Sequence, residues 1–260
     1  MNILFRIIIA ICLVPQLSYS QDFEVSPVLI EFAAEPGKAS TKTIFVTNHS
    51  TNKQSFSLTL ADEVFFENGK KQYKSAGTTP ESCANWLSIF PTYFDLNAGE
   101  RQEIQLTIKV PVENYQTAWS TIFVKSAQER GAAAADKSLN TGIVVNPRIA
   151  IKVFQSPNSN TNYNAQFSGA KQLDANTVEL NIKNTGEKII KPKISAEIIN
   201  NSTGETITVD PMPSFVLPGI TRAVPFILPQ LEKGDYTGVF IMDYHKNSDL
   251  EGYELNISIP

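Results

Sequence analysis

Alternation at period two dominates this chain and leaves it little choice of fold. Apolar and polar residues take turns along Thr41-Lys-Thr-Ile-Phe-Val46, Ser55-Phe-Ser-Leu-Thr-Leu60 and Glu103-Ile-Gln-Leu-Thr-Ile-Lys-Val110. Successive side chains of an extended strand point to opposite faces, so each run turns one face to a core and the other to water. Val, Ile, Thr, Phe and Tyr fill the runs. Pro-Gly, Asn-Gly, Ala-Gly and Thr-Gly pairs break them at spacings near the ~8 to 12 residues of a β-sandwich. Beyond residue 20 no stretch carries helical periodicity, and the expectation is an all-β fold.

The chain also repeats itself loosely. A strand ending in Asn before polar turn residues occurs as Val46-Thr-Asn48-His-Ser50 and as Ile182-Lys-Asn184-Thr-Gly186. An apolar strand, a Gly turn and a long strand follow as Phe94-Asp-Leu-Asn-Ala-Gly99 before Ile104–Val110, and as Phe215-Val-Leu-Pro-Gly219 before Ala223–Leu228. Each copy then meets a Pro and a Tyr before a last core strand, Ile122-Phe-Val124 or Val239-Phe-Ile241. Two related sandwiches are expected. The first is longer by a segment that includes Val64–Tyr73, read as an inserted surface hairpin turning at Asn68-Gly69. Gln155–Asn162 offers nothing to bury and reads as a hinge, which places the domains at 22–155 and 160–260.

Residues 1–20 combine Arg6, an apolar run from Ile7 to Val14 and small residues at Ser18 and Ser20, the pattern of a secretory signal peptide cut before Gln21. Cys12 follows Ile9-Ala-Ile11, a poor context for lipid attachment. Later apolar runs are each broken within about eight residues, too short to span a bilayer, so no integral membrane segment is expected. Cleavage leaves Cys83 alone, without an intramolecular disulfide partner. The 22 basic residues include Arg6, against 26 acidic ones, and the basic residues cluster only at Lys70-Lys71. Nucleic acid is not an expected partner.

Chemistry-bearing residues are sparse. His49, His245 and Cys83 are scattered, and alternation sends Asp243 and His245 to one face and Tyr244 to the other. Phosphate loops, calcium loops and zinc motifs do not occur. The expectation is a protein without enzymatic activity, cofactor or metal. The sequons at Asn48, Asn201 and Asn256 bear on function only in a host that glycosylates its exports.

Several stretches together resemble the two-domain periplasmic chaperones of pilus assembly. They are Phe23-Glu-Val-Ser-Pro-Val-Leu-Ile-Glu-Phe32, Pro36-Gly37 with Ile44–Asn48, and Trp86-Leu-Ser-Ile-Phe-Pro91 followed by Phe94–Gly99 and a strand ending at Pro111. The long loop Ala127–Thr141 and the strand Gly142–Phe154 stand where that family keeps its working strand. The resemblance implies two consecutive immunoglobulin-like β-sandwich domains. It also implies that the last strand of domain one lends apolar side chains, here Ile143, Val145, Ile149 and Ile151, to a client by strand addition. Lys152 falls where the family's strand lysine holds the client's terminal carboxylate. The partnering arginine is missing from Pro27-Val-Leu-Ile-Glu31, which leaves Arg148 as a substitute, and Pro147 removes one backbone donor from the row.

Trp86–Val110 and the Phe215–Gly219 and Gly234-Asp-Tyr236 patterns are also similar to the paired sandwich domains of WxL-type bacterial surface proteins. Two functions are therefore carried forward. One is an exported, periplasmic chaperone or assembly protein binding a secreted or surface polypeptide along the last strand of domain one. The other is an envelope or cell-surface adhesion or scaffold module that binds cell wall or folded partners through loops.

Overall fold

The computed structural model describes residues 22–113, 117–126, 147–246 and 248–260. Residues 1–21 and 127–146, which include the expected signal peptide, the expected loop and the positions of Ile143 and Val145, lie outside them. The described residues form strands throughout, apart from turns and a 3-10 turn at Ala84–Trp86. No helix among them is long and apolar enough to cross a membrane.

The first sandwich contains β1 (Phe23–Ser26), β2 (Leu29–Phe32), β3 (Ala39–Asn48), β4 (Gln54–Phe65), β5 (Lys71–Ser75), β6 (Leu87–Phe90), β7 (Tyr93–Leu96), β8 (Arg101–Lys109), β9 (Ala118–Ser126) and β10 (Arg148–Gln155). One sheet has the order β1-β3-β8-β6, and the other runs β2-β10-β9-β4-β5, with β7 also on β4. The second sandwich contains β11 (Ala165–Asp174), β12 (Thr177–Asn184), β13 (Lys193–Asn200), β14 (Thr206–Pro213), β15 (Thr221–Ile227), β16 (Gly234–Asp243) and β17 (Glu251–Ile259). Its sheets are β11-β12-β15 and β14-β13-β16-β17.

The alternation seen in the sequence sorts the side chains as expected. Ile104, Leu106 and Ile108 of β8 face Ile44 and Val46 of β3 in the first core, and Val178, Leu180 and Ile182 of β12 meet Phe226 and Phe240 in the second. Each fully buried side chain of this size contributes about 1.5–3 kcal/mol. Cys83 is buried and free, so these cores carry the fold without a cross-link. Tyr236 closes the start of β16 by donating its hydroxyl to the Glu232 carbonyl, 2.9 Å away, in the manner of the tyrosine corner of immunoglobulin-like sandwiches.

Two expectations need correction. Gln155 begins the supposed hinge, yet it is fully buried. Its amide spans to Ala34, donating to the carbonyl at 2.6 Å and accepting from the N–H at 3.2 Å. The next residues are tied as well, by Lys188 Nζ donating to the Pro157 carbonyl at 2.5 Å and by the Ser156 and Thr117 hydroxyls at 2.8 Å. The start of the polar sequence 155–162 is thus pinned at Gln155, Ser156 and Pro157, while Asn158, Ser159, Thr161 and Asn162 stay exposed.

The inserted hairpin is present but is not a free surface feature. Phe65 pairs with Lys71, and the loop Glu67-Asn68-Gly69 turns with Gly69 at φ 75°, a three-residue connection in place of a two-residue Asn-Gly turn. At its tip the Glu67 carbonyl accepts the Ala223 N–H of β15 at 2.8 Å, so the hairpin reaches the second sandwich. That bond shows which backbone groups of β15 point outward, and Pro225 has the same parity. A proline there leaves no ladder bond unmade and guards the edge.

Candidate functional site

β10 lies between β9 and β2, but its two neighbours differ in length. β9 accompanies it from Arg148 to Gln155, whereas β2 pairs only with Lys152 to Gln155. β2 starts late because the chain crosses over at Pro27 and Val28 from the sheet that holds β1. The Lys152 N–H donates to the Val28 carbonyl at 2.9 Å, so the backbone groups of Ala150 and Arg148 point to that same side. Among the described residues no strand pairs them there. Among the described residues, half of β10 is therefore an unpaired edge.

Lys152 projects from the face opposite the core, where its Nζ is ion-paired with Glu63 Oε2. The Glu63 side chain on β4 is only 2% exposed. Thr121 of β9 donates to the same oxygen at 3.4 Å, and Lys71 Nζ of β5 lies 3.4 Å from Oε1. Oε1 accepts no hydrogen bond. Two cations thus share one carboxylate, and the cluster is net positive. Burial holds the Lys152 ammonium below the ordinary lysine value, the pull of Glu63 only partly offsets this, and the Lys71 charge adds to the depression.

Aromatic packing fixes the cluster in place. Trp119 Nε1 donates to the Glu63 carbonyl at 2.9 Å, and its ring meets Phe65 edge-on, centroids 6.5 Å apart. Trp119, Phe154 and Leu217 form a buried interdomain cluster joined by Phe65 and Phe215. Phe215 packs on Phe154 at 5.3 Å between ring centroids, and Arg222 Nη1 donates to the Phe215 carbonyl at 2.6 Å. Between the hairpin, β10 and this part of the second sandwich lies a cavity of about 300 Å³, with Lys71, Lys152 and Arg222 among its lining residues. Its walls are otherwise mostly apolar.

No family model and no curated protein matches the chain by sequence. Solved structures match it in fold. A chain of the chaperone–tip adhesin complex of CFA/I fimbriae biogenesis superposes with a TM-score of 0.52 at 13% identity, covering 91% of this chain and 98% of that one. The class 5 fimbriae chaperone CfaA gives 0.50 at 14% identity, over 92% and 99%. The fold is that of a fimbrial chaperone.

Within this chaperone fold the residues expected to bind a partner separate into groups. Ile149 and Ile151, expected in the lent apolar row, face inward. Ile151 is fully buried and Ile149 packs on the same core, which corrects that expectation, since their contacts are already taken. Ile143 and Val145 lie outside the described residues. Arg148 stacks its guanidinium over Phe123 at 4.2 Å and does not line the cavity, so the cation beside Lys152 is Lys71 instead. Burial pushes the Cys83 thiol up to about 12, which keeps it protonated and inert. His245 stacks flat on Tyr163, 3.8 Å between ring centroids.

Glu63 and Arg222 were not singled out by the sequence. Ala61, Asp62 and Glu63 are consecutive buried residues, a pattern that period two hides. Lys71 did carry a signal, since it belongs both to the Lys70-Lys71 pair and to the surplus hairpin.

Proposed function

We propose that the protein is an exported, periplasmic chaperone that holds a secreted or surface polypeptide by strand addition to β10, with the client's end directed toward Lys152. The observation that carries this reading is the half-edge at Arg148–Ile151, unpaired among the described residues, which runs straight into the cationic cleft at Lys152. A strand added there would complete a ladder that β2 begins. Apolar side chains lent to the client would come from positions before β10, since those within it serve the chain's own core.

Ala150→Pro tests the reading. Its N–H points to the open side, so proline removes a donor for the client while sparing the β9 ladder. In a pull-down from the native periplasm, a client retained by the wild-type protein and lost by folded Ala150→Pro supports strand addition. Equal recovery of the same partner by both proteins rejects it. Amide exchange gives a second readout, in which bound client slows the Ala150 N–H.

A further inference from the structure

A different cavity, of about 680 Å³, opens where the amide-rich connection 155–162 meets the loop that follows β16. Its size falls within the ~300–1,000 Å³ range of ligand sites. Among the described residues, every side chain that lines it carries a hydrogen-bonding group, and none is purely hydrocarbon. Asn158 and Asn160 come from the connection, Lys188 from the loop between β12 and β13, and Asp249 from the loop after β16. Lys188 is buried, and its Nζ gives one of three N–H donors to the Pro157 carbonyl. Burial holds its ammonium below the ordinary lysine value, and the Glu35 charge only partly offsets this. The walls are held in place before any ligand arrives. Asn160 Oδ1 accepts the Asn162 N–H at 3.0 Å, the Glu187 and Lys188 N–H groups donate to the Asn162 carbonyl at 2.9 and 3.2 Å, and the Ser248 hydroxyl donates to the His245 carbonyl at 2.7 Å.

We infer that this cavity binds a short neutral saccharide. Each sugar hydroxyl is both donor and acceptor, and the lining matches it with amides that do both, a carboxylate that only accepts and an ammonium that only donates. The stacked rings of Tyr163 and His245, with Tyr244, supply aromatic surface on which the C–H face of a pyranose packs. One ammonium and one carboxylate balance, which favours a ligand without net charge, and the lack of a hydrocarbon wall disfavours a lipid or an apolar side chain. None of the lining residues belongs to β10. The site therefore gives the protein a hold on glycan that does not compete with a polypeptide at the unpaired edge, and it stands or falls independently of strand addition.

The test is a titration of the isotopically labelled protein, followed by amide proton–nitrogen correlation spectra, with N,N′-diacetylchitobiose, cellobiose and inorganic phosphate as separate probes. At least one of the two sugars should give saturable shifts at Asn158, Asn160, Tyr163, Lys188 and His245, with a Kd below about 1 mM. Tighter binding of the chitobiose assigns the site to an N-acetylated glycan, and tighter binding of cellobiose to one of plain hexose units. Asp249 is exposed, so Asp249→Ala spares the fold and should weaken the sugar about tenfold, the loss expected for one charge-assisted hydrogen bond. Asn158→Ala, also at an exposed position, should weaken it by a smaller factor. The inference is overturned if neither sugar shifts these residues saturably, or if Asp249→Ala binds the sugar as tightly as the wild type. Phosphate that produces the shifts while both sugars fail assigns the cavity to anions and also overturns it.

Discussion

Asn48 and Asn184 end equivalent strands, β3 and β12, and each uses its amide to tie the loop that precedes the next long strand. Asn48 Nδ2 donates to the Leu96 carbonyl at 3.1 Å, and Asn184 Nδ2 donates to the Val216 carbonyl at 3.0 Å. Each Oδ1 accepts an N–H two residues on, from Ser50 or Gly186. The backbone repeats the match, with Gly99 N–H donating to Asn48 and Gly219 N–H to Asn184. Both side chains are fully buried.

Replacing either asparagine by alanine strands buried carbonyls and N–H groups at once. The expected loss is about 2–4 kcal/mol per site, since each orphaned group costs roughly 1–3 kcal/mol. Urea unfolding measures it. A loss below the cost of one hydrogen bond at both sites would show that these amides do not organise the loops.

Asp62 makes the fold sensitive to acid. Burial alone raises its carboxyl, but hydrogen bonds from the Ser82 hydroxyl and the Thr79, Gly77 and Thr78 N–H groups outweigh burial and bring it below the ordinary aspartate value. A carboxylate depressed on folding adds stability above its unfolded value, near 3.9, and this stability is lost as pH falls through the lower folded value. Asp62→Asn should flatten that part of the stability-versus-pH curve. An unchanged acid limb in denaturation series from pH 5 downward would assign it to other groups.

Glu63→Gln leaves Lys71 and Lys152 facing each other without their anion. Breaking such a pair costs roughly 3 kcal/mol, whereas replacing both members of a buried pair by apolar groups is often neutral. The double variant Glu63→Leu, Lys152→Met should therefore be more stable than Glu63→Gln. A double-mutant cycle reads the coupling, and simple additivity would mean that Lys152 and Glu63 do not depend on each other.

Leu217 is 2% exposed and packs with Trp119 and Phe154 across the two sandwiches. Leu217→Ala should cost about 2–4 kcal/mol at this junction and shift Trp119 emission to the red as water enters. Unshifted emission from a Trp86→Phe background would show that the junction does not depend on Leu217.

The fold was legible because period two records burial directly in strands with one wet face, such as β8 and β12. The site was less so, for the same reason. β9 is buried on both faces from Ala118 to Val124, since the hairpin and the second sandwich cover its outer side. Glu63 is hidden where β4 leaves β9 and continues only with β5. The direction of Ile149 and Ile151 was fixed by pairing with β9, which alternation within one strand does not reveal. Gln155 looked like linker because its partner, Ala34, is distant in sequence.

The Glu67 carbonyl bonded to Ala223 puts Lys71 and Phe215, which belong to different sandwiches, into one hydrogen-bonded frame. A ligand held between them gains from both sandwiches only while both are folded and docked. Occupancy then acts as a thermodynamic splice, so heating should melt the two sandwiches as a single cooperative unit when the cleft is filled and as separable units when it is empty.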